Sequence, residues 1–334
     1  MTDILAFCTV TNGAASGKEL PRAVLEVLAA GRELADKLGD SKLQAALLGP
    51  DVEGHAKALI HHGADEVLVL SHPRLEYHEA DVMLGTMEAI VKQSSPDVIL
   101  SPHDDLGGGN VAPRLAYRLG TGIVTDCTGF EVEGDAIRWL RPVYGGKGMA
   151  YMVASGPVQM ATVRSRAFEP LPPDPARQGQ VQTLEIDVDS ISAPVSLVEK
   201  TQEEEEGVSL DQAQIIVCGG RGMEDTEGFS ALDDLAETLG AAVAGSRPAA
   251  DMGLVPHSRL VGQTGKIVAP NLYIAVAISG APQHMAGAGA SKTIVAINKD
   301  EDAPIFKLAH VGIVDEWQNI IPSFNKACKE LLSS

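Results

Sequence analysis

Short apolar runs alternate along this chain with longer stretches in which apolar residues recur every three or four positions. Residues 4–10, 43–48, 66–70 and 97–101 are compact apolar runs of strand length. Between them, residues 20–38 carry Val24, Leu25, Leu28, Leu34 and Leu38 at helical spacing, and 52–62, 80–93 and 109–119 show the same period. A β-α-β-α rhythm of this kind predicts a parallel sheet covered by helices. From 123 to 163 the pattern changes to strands punctuated by turns, including Gly145-Gly146 and Ser155-Gly156-Pro157, and these strands are expected to extend the sheet in mixed or antiparallel fashion. Residues 168–180, rich in Pro, Asp and Gly, predict an extended surface loop, and 182–188 predict a last strand that closes the first half.

A second rhythm starts near residue 214. The runs 215–218, 241–244, 272–278, 293–297 and 311–314 are separated by helix-length spacers, which predicts a doubly wound parallel sheet of the flavodoxin-like kind. Between the halves lie four consecutive glutamates, Glu203 to Glu206, whose composition reads as a solvated linker. The expected organisation is an α/β chain in two domains: an N-terminal α/β sheet with extra strands over 1–195, an acidic linker over 196–208 and a C-terminal domain over 209–334.

Composition narrows the function classes. Aromatic residues are only 4% against 45% hydrophobic residues overall, which suits close-packed parallel sheets better than aromatic-cored sandwiches. A formal net charge of −19, with no cluster of Lys and Arg, argues against nucleic acid and anionic membranes. No apolar run reaches the roughly 20 residues a membrane-spanning helix needs, so no membrane insertion is expected. Cys8, Cys127, Cys218 and Cys328 are scattered without C-x-x-C spacing, so neither a disulfide framework nor a zinc site is expected and a reducing compartment is implied. Because residues 2–10 already read as a strand, no signal or transit peptide is expected, which favours a cytoplasmic location.

The chemistry is concentrated in the loops after the second set of strands, where open α/β sheets bind ligands. Gly219, Gly220, Arg221 and Gly222 follow the first run, and Gly245, Ser246, Arg247 and Pro248 the second. Val261, Gly262, Gln263, Thr264, Gly265 and Lys266 precede the third run; Ser279, Gly280, Ala281, Pro282, Gln283 and His284 follow it. Asn298 ends the fourth run, and Asp315 and Glu316 end the fifth. Each loop alone is a common turn, but all of them at one sheet edge predict a dinucleotide-sized polar ligand, because glycines admit backbone N–H groups to a phosphate and arginines supply charge. The nicotinamide dinucleotide fingerprint G-x-G-x-x-G fails, since Gly220-Arg221-Gly222-Met223-Glu224-Asp225 ends in an acid.

The run from Leu272 through Ile278, Ser279, Gly280, Ala281, Pro282, Gln283 and His284 to Gly287 closely resembles the signature of electron-transfer flavoprotein α subunits, the FixB-like family. Residues 261–270, 291–300, 219–222 and Thr125-Asp126-Cys127-Thr128-Gly129 resemble the same family, so the likeness spans nearly the whole chain. It implies an FAD-binding electron carrier rather than an enzyme with its own small-molecule product. By that resemblance Arg221, Ser246, Gln263, Thr264, Ser279, Gly280, Gln283, His284 and Asn298 match FAD-contacting positions, and Arg247 lies over the flavin ring. Val261, Gly262, Ala281 and Pro282 complete the binding motifs, and Asp315 or Glu316 serves the adenosine end. The implied partners are a β subunit docking on the first half, acyl-CoA or other dehydrogenases as donors, and a quinone oxidoreductase or a ferredoxin- or NAD-linked acceptor. Departures from the family pattern are Ala277 for a glycine, Pro282 for an apolar residue, Pro248 biasing Arg247 away from helical geometry, Glu316 for an aspartate, and His103-Asp104-Asp105, which reads as a capped loop or a metal site. An NAD-dependent dehydrogenase and a flavin-free nucleotide-binding module are the alternative classes.

Overall fold

The computed structural model describes residues 2–10, 20–77, 79–104, 106–134, 136–144, 146, 148–199, 208–210 and 213–332. Glu203 to Glu206 lie outside the described residues. The chain divides into two compact units, residues 1–200 and 201–334.

The first unit is built on a sheet of seven strands, β1 (Thr2–Thr9), β2 (Ser41–Gly49), β3 (Glu66–Ser71), β4 (Val98–Pro102), β5 (Ile123–Cys127), β9 (Gln159–Val163) and β10 (Gln180–Thr183). Their order is β10-β3-β2-β1-β4-β9-β5, every pair parallel. Helices α1 (Arg22–Leu38), α2 (Ala56–His61), α3 (Ala80–Ser94) and α4 (Ala112–Leu119) supply the crossovers. The alternation along β1 shows why both faces are covered: Ile4, Ala6 and Cys8 enter one core, Leu5 and Phe7 the other.

Residues 123–163 depart from the expectation. Strands β5 and β9 join the main sheet in parallel, whereas β6 (Gly129–Glu133), β7 (Ala136–Val143) and β8 (Gly148–Met152) form a separate three-stranded antiparallel sheet. Ala161 and Met160 of β9 are buried on opposite faces, as a central parallel strand requires. On β7 only alternate residues such as Ile137 and Trp139 are buried, which suits a sheet covered on one face. The closing strand is also shorter and earlier than expected. Only Gln180–Thr183 has register partners on β3; Leu184 and Val188 pack into the core without continuing the ladder.

The second unit has five parallel strands, β11 (Ile215–Gly219), β12 (Ala242–Gly245), β13 (Leu272–Val276), β14 (Thr293–Asn298) and β15 (Val311–Val314), in the order β12-β11-β13-β14-β15. Helices α5 (Thr226–Leu239), α6 (Arg247–Asp251), α7 (Pro282–Ala288) and α8 (Trp317–Leu332) complete it. This is the flavodoxin-like order, and its direction of winding reverses between β11 and β13, which opens a crevice at their carboxyl ends. Tyr273 and Ala275 of β13 point into one core, Ile274 and Val276 into the other. Among the described residues no helix is long and apolar enough to cross a membrane.

Candidate functional site

At that crevice lies a cleft of about 570 Å³. Its walls come from the loops after β11 (Gly220, Arg221, Gly222), β12 (Ser246, Arg247, Pro248) and β13 (Ala277, Ile278, Ser279, Ala281), with Asn298 and Asp300 after β14. The segment before β13 adds Leu260, Val261, Gly262, Gln263 and Thr264, and the first turn of α7 adds Gln283 and His284.

The loops are held by one another. Gly220 has its amide on the Val276 carbonyl at 2.8 Å, and a side chain at this glycine would collide with the Ala277 carbonyl. The Gln263 amide donates to the Gln283 carbonyl at 2.7 Å, tying the 261–266 loop to α7. Asn298 bridges two strand ends: its side-chain amide donates to the Ile278 carbonyl at 2.9 Å, while its side-chain oxygen accepts from the Asp300 amide at 3.0 Å. The cleft is therefore a fixed cup rather than a set of independent turns.

Two arginines from adjacent loops bring positive charge to it. Arg247 Nε lies 2.7 Å from Asp251 Oδ1 one turn on, and its guanidinium donates to Thr264 Oγ1 at 3.3 Å. Among the described residues the Arg221 guanidinium has no ion-pair partner. Pro248 does not draw Arg247 out of helical geometry as expected: α6 begins at Arg247, with Ser246 as an extended cap residue and the proline inside the first turn, where its missing N–H costs nothing.

His284 differs in character from the other wall residues. It is 7% exposed, its Nε2 lies 2.9 Å from the Tyr273 hydroxyl, and its Nδ1 has no hydrogen-bond partner. Burial pushes its pKa down to about 4, with the Val261 backbone pulling more weakly the other way, so the ring is neutral at pH 7. A buried polar atom without a hydrogen bond, on a residue that lines the cleft, is a candidate ligand contact.

Four residues expected at the site do not line the cleft. Pro282 opens α7, and Gly280, at φ +80°, packs against the Ile305 backbone where a side chain has no room. Asp315 accepts from the Glu316 amide at 2.7 Å and from the Asn319 side chain at 2.9 Å, bonds at the start of α8 that hold its carboxyl below the usual range. Glu316 lies 3.5 Å from Lys299. Among the described residues the carboxylate that lines the cleft is Asp300, which the sequence did not single out as a ligand contact, nor did it single out Leu260 and Ala303, or Tyr273 beneath His284. Asp251 was equally missed, although its position four residues after Arg247 on a short helix was a usable signal.

The strand–helix junction after β11 bears on the nicotinamide alternative. Asp225 Oδ1 accepts from the Gly228 amide at 3.0 Å, so the N-terminus of α5 is closed by its own carboxylate where a pyrophosphate would bind in that fingerprint. In the first unit, Asp104 accepts from the Gly107 amide at 2.6 Å and His103 Nδ1 lies 2.8 Å from Thr162 Oγ1. Asp105 lies outside the described residues, and among those described no group of His, Cys, Asp and Glu is arranged to hold a metal ion.

A doubly wound sheet with a cationic, glycine-lined cleft at its switch point defines a dinucleotide-binding protein of the flavodoxin-like class. Residues 11–189 match the electron transfer flavoprotein domain and residues 209–289 the electron transfer flavoprotein FAD-binding domain. The electron transfer flavoprotein subunit alpha of Bacillus subtilis (strain 168) is 39% identical over 94% of this chain and 94% of its own length. Protein FixB of Clostridium saccharobutylicum is 41% identical over 95% of this chain and 94% of its own. The acryloyl-CoA reductase electron transfer subunit beta of Anaerotignum propionicum is 35% identical over 98% and 96%. The chain belongs to the electron transfer flavoprotein family, among its α subunits, and is an electron-carrier subunit rather than a dehydrogenase.

Proposed function

We propose that the C-terminal cleft holds FAD and that this chain, paired with a β subunit, takes electrons from dehydrogenases and passes them to a second redox partner. The observation that carries the reading is the convergence of five segments of the C-terminal unit on one cleft that combines Arg221, Arg247 and the unpartnered Nδ1 of His284. The residues fit the cofactor. Small residues at Gly220, Gly222 and Gly262 leave room for a backbone-to-phosphate approach, and Leu260, Val261, Ile278 and Ala303 supply an apolar wall for a flat ring system. Bound FAD would supply one- and two-electron chemistry. The protein's part is to bind it, orient it and set its potential.

In this reading Arg247 and Thr264, already joined to each other, face the flavin. Arg221 and the Gln283 amide at the start of α7 face the pyrophosphate, with Ser279 beside them. Asp300 and Asn298 hold the adenosine end, with Asp315 bonded to Asn319 and Glu316 paired with Lys299. Ser246, 6% exposed and without a side-chain cap bond, turns its hydroxyl to the cofactor. No residue needs to exchange a proton with a substrate.

The first unit, residues 1–195, is proposed to dock the β subunit. The β8 strand of its small sheet leaves Met149, Tyr151 and Met152 exposed, and Tyr144 beside it is 88% exposed, side chains that a partner surface would cover. Acyl-CoA dehydrogenases suit the donor role, and a quinone oxidoreductase or a ferredoxin- or NAD-linked protein the acceptor role. A cytoplasmic location accords with the absence, among the described residues, of a membrane-spanning helix. The test is co-purification with the β subunit followed by denaturation and chromatography of the released nucleotides. One FAD per complex assigned to this chain by a cleft variant such as Arg221→Ala is the expected result; FMN, or no flavin on this subunit, would refute it.

A further inference from the structure

We propose that Tyr273 is a positioning residue that holds His284 in its Nδ1–H tautomer, so that the imidazole presents the bound cofactor with a hydrogen-bond donor and not an acceptor. The inference rests on the reading that the cleft holds FAD, but its structural half concerns this chain's own residues.

Tyr273 is a β13 residue with no exposed surface, and the register that pairs it with Ile294 on one side and Ile216 on the other turns its ring under α7. There its hydroxyl meets His284 Nε2 at 2.9 Å, with the ring centroids 6.1 Å apart. Cys218 stands on the neighbouring strand, paired in register with Ala275, and all three side chains are buried. A tyrosine has one proton to give and two neighbours here. An imidazole nitrogen is a far better acceptor than sulfur, and a phenol is a better donor than a neutral imidazole N–H. The phenolic proton therefore goes to Nε2, and burial keeps the Cys218 thiol protonated.

A neutral imidazole that accepts at Nε2 carries its proton on Nδ1. That is the nitrogen without a partner, on a residue that lines the cleft. With the opposite tautomer a bare lone pair would stand there instead, and it would repel any acceptor oxygen that the cofactor brought to it. The bond from Tyr273 to His284 thus sets the sign of the hydrogen bond that the cleft offers.

The test uses the full chain with 15N-labelled histidine. Long-range 1H–15N correlation spectra at neutral pH distinguish the two tautomers, and His284→Gln identifies the His284 signals. The wild type is expected to show a protonated Nδ1 and a bare Nε2, with or without FAD. Tyr273→Phe is expected to show both tautomers, to bind FAD about tenfold more weakly and to shift the bound flavin to a lower potential, since one charge-directed hydrogen bond is lost part of the time. A wild-type Nε2–H tautomer overturns the proposal without any variant having to fold. So does a Tyr273→Phe protein with an unchanged single tautomer and unchanged FAD affinity. If the wild type shows the expected tautomer yet binds no FAD, the functional reading fails and the tautomer assignment stands.

Discussion

Arg247 and Asp251 offer a pair of perturbations with opposite signs. Arg247 lines the cleft and is joined to Thr264 at 3.3 Å and to Asp251 at 2.7 Å. Reduction of a flavin adds negative charge, so removing the guanidinium disfavours reduction, whereas removing the Asp251 carboxylate unmasks it. Two unit charges about 4 Å apart interact by about 4 kcal/mol at an effective dielectric near 20 and by about 1 kcal/mol in water. The Arg247 and Asp251 side chains are 57% and 51% exposed, which places the site toward the screened limit. A net effect of about 1.4 kcal/mol is a tenfold change in a one-electron equilibrium, or about 59 mV. Arg247→Ala is therefore expected to lower the first potential by tens of millivolts. Asp251→Asn should raise it by a smaller amount, because the carboxylate acts through the arginine.

The assay is a spectroelectrochemical titration of the assembled complex at moderate salt, with both variants and the double variant. Because the carboxylate acts through Arg247, the double variant should match Arg247→Ala alone. Global stability should hardly change, since an exposed pair contributes at most about 1 kcal/mol. Shifts of the same sign in both single variants, or none in either, would sink the electrostatic reasoning even if FAD remained bound.

Three further outcomes follow from the same unit. Ala277 sits at φ +54°, a region that disfavours any side chain by about 1–2 kcal/mol, so Ala277→Gly should stabilise the protein by roughly 1 kcal/mol after the glycine's own entropy cost; a lower urea midpoint would contradict this. Asp225→Ala removes the cap on α5 and should cost about 1 kcal/mol in thermal or urea unfolding, with flavin content unchanged. His284, with its pKa lowered from 6.5 to about 4, binds a proton in the unfolded chain before it does in the folded one; stability should fall as pH drops from 6.5 toward 4 and level off below, by at most about 3 kcal/mol, and His284→Gln should flatten that segment of the profile.

The periodicity made both parallel sheets legible, because strands buried on two faces read as continuous apolar runs and their crossovers keep a helical period. The three-stranded sheet of β6–β8 was not legible as a separate layer. Its strands alternate as edge strands of one mixed sheet also would, and only the pairing of Ile123 and Val124 with Met160 and Ala161 shows that the chain leaves the main sheet after β5 and returns at β9. At the site, glycines and arginines in strand-end loops were readable because their chemistry is local. Tyr273 was not, since its hydroxyl meets His284 only through the packing of a helix that begins nine residues later. Asp300 was hidden for a related reason: Asp315 and Glu316 stand at a strand end too, and nothing in the spacing says that Asp315 is taken up by the Glu316 amide and the Asn319 side chain.

The four strand–helix junctions of the second unit explain where an anionic group can go. Two have an aspartate at them: Asp225 caps α5, and Asp315 accepts from the Glu316 amide just before α8 and from the Asn319 side chain. The other two, at α6 and α7, have no side-chain cap, and both border the cleft. Helices this short carry little dipole of their own, so free backbone amides and the charges of Arg221 and Arg247 are the main attraction for a pyrophosphate. The distribution also solves a problem of selectivity. The carboxylates beside α5 and α8 disfavour phosphate at those two helix starts, and the pair without a side-chain cap is left as the more favourable place for an anion among the described residues. The strained backbone at Ala277, on the wall between the β11 and β13 loops, belongs to the same arrangement, because it brings its carbonyl against Gly220 and holds the two loops at contact distance.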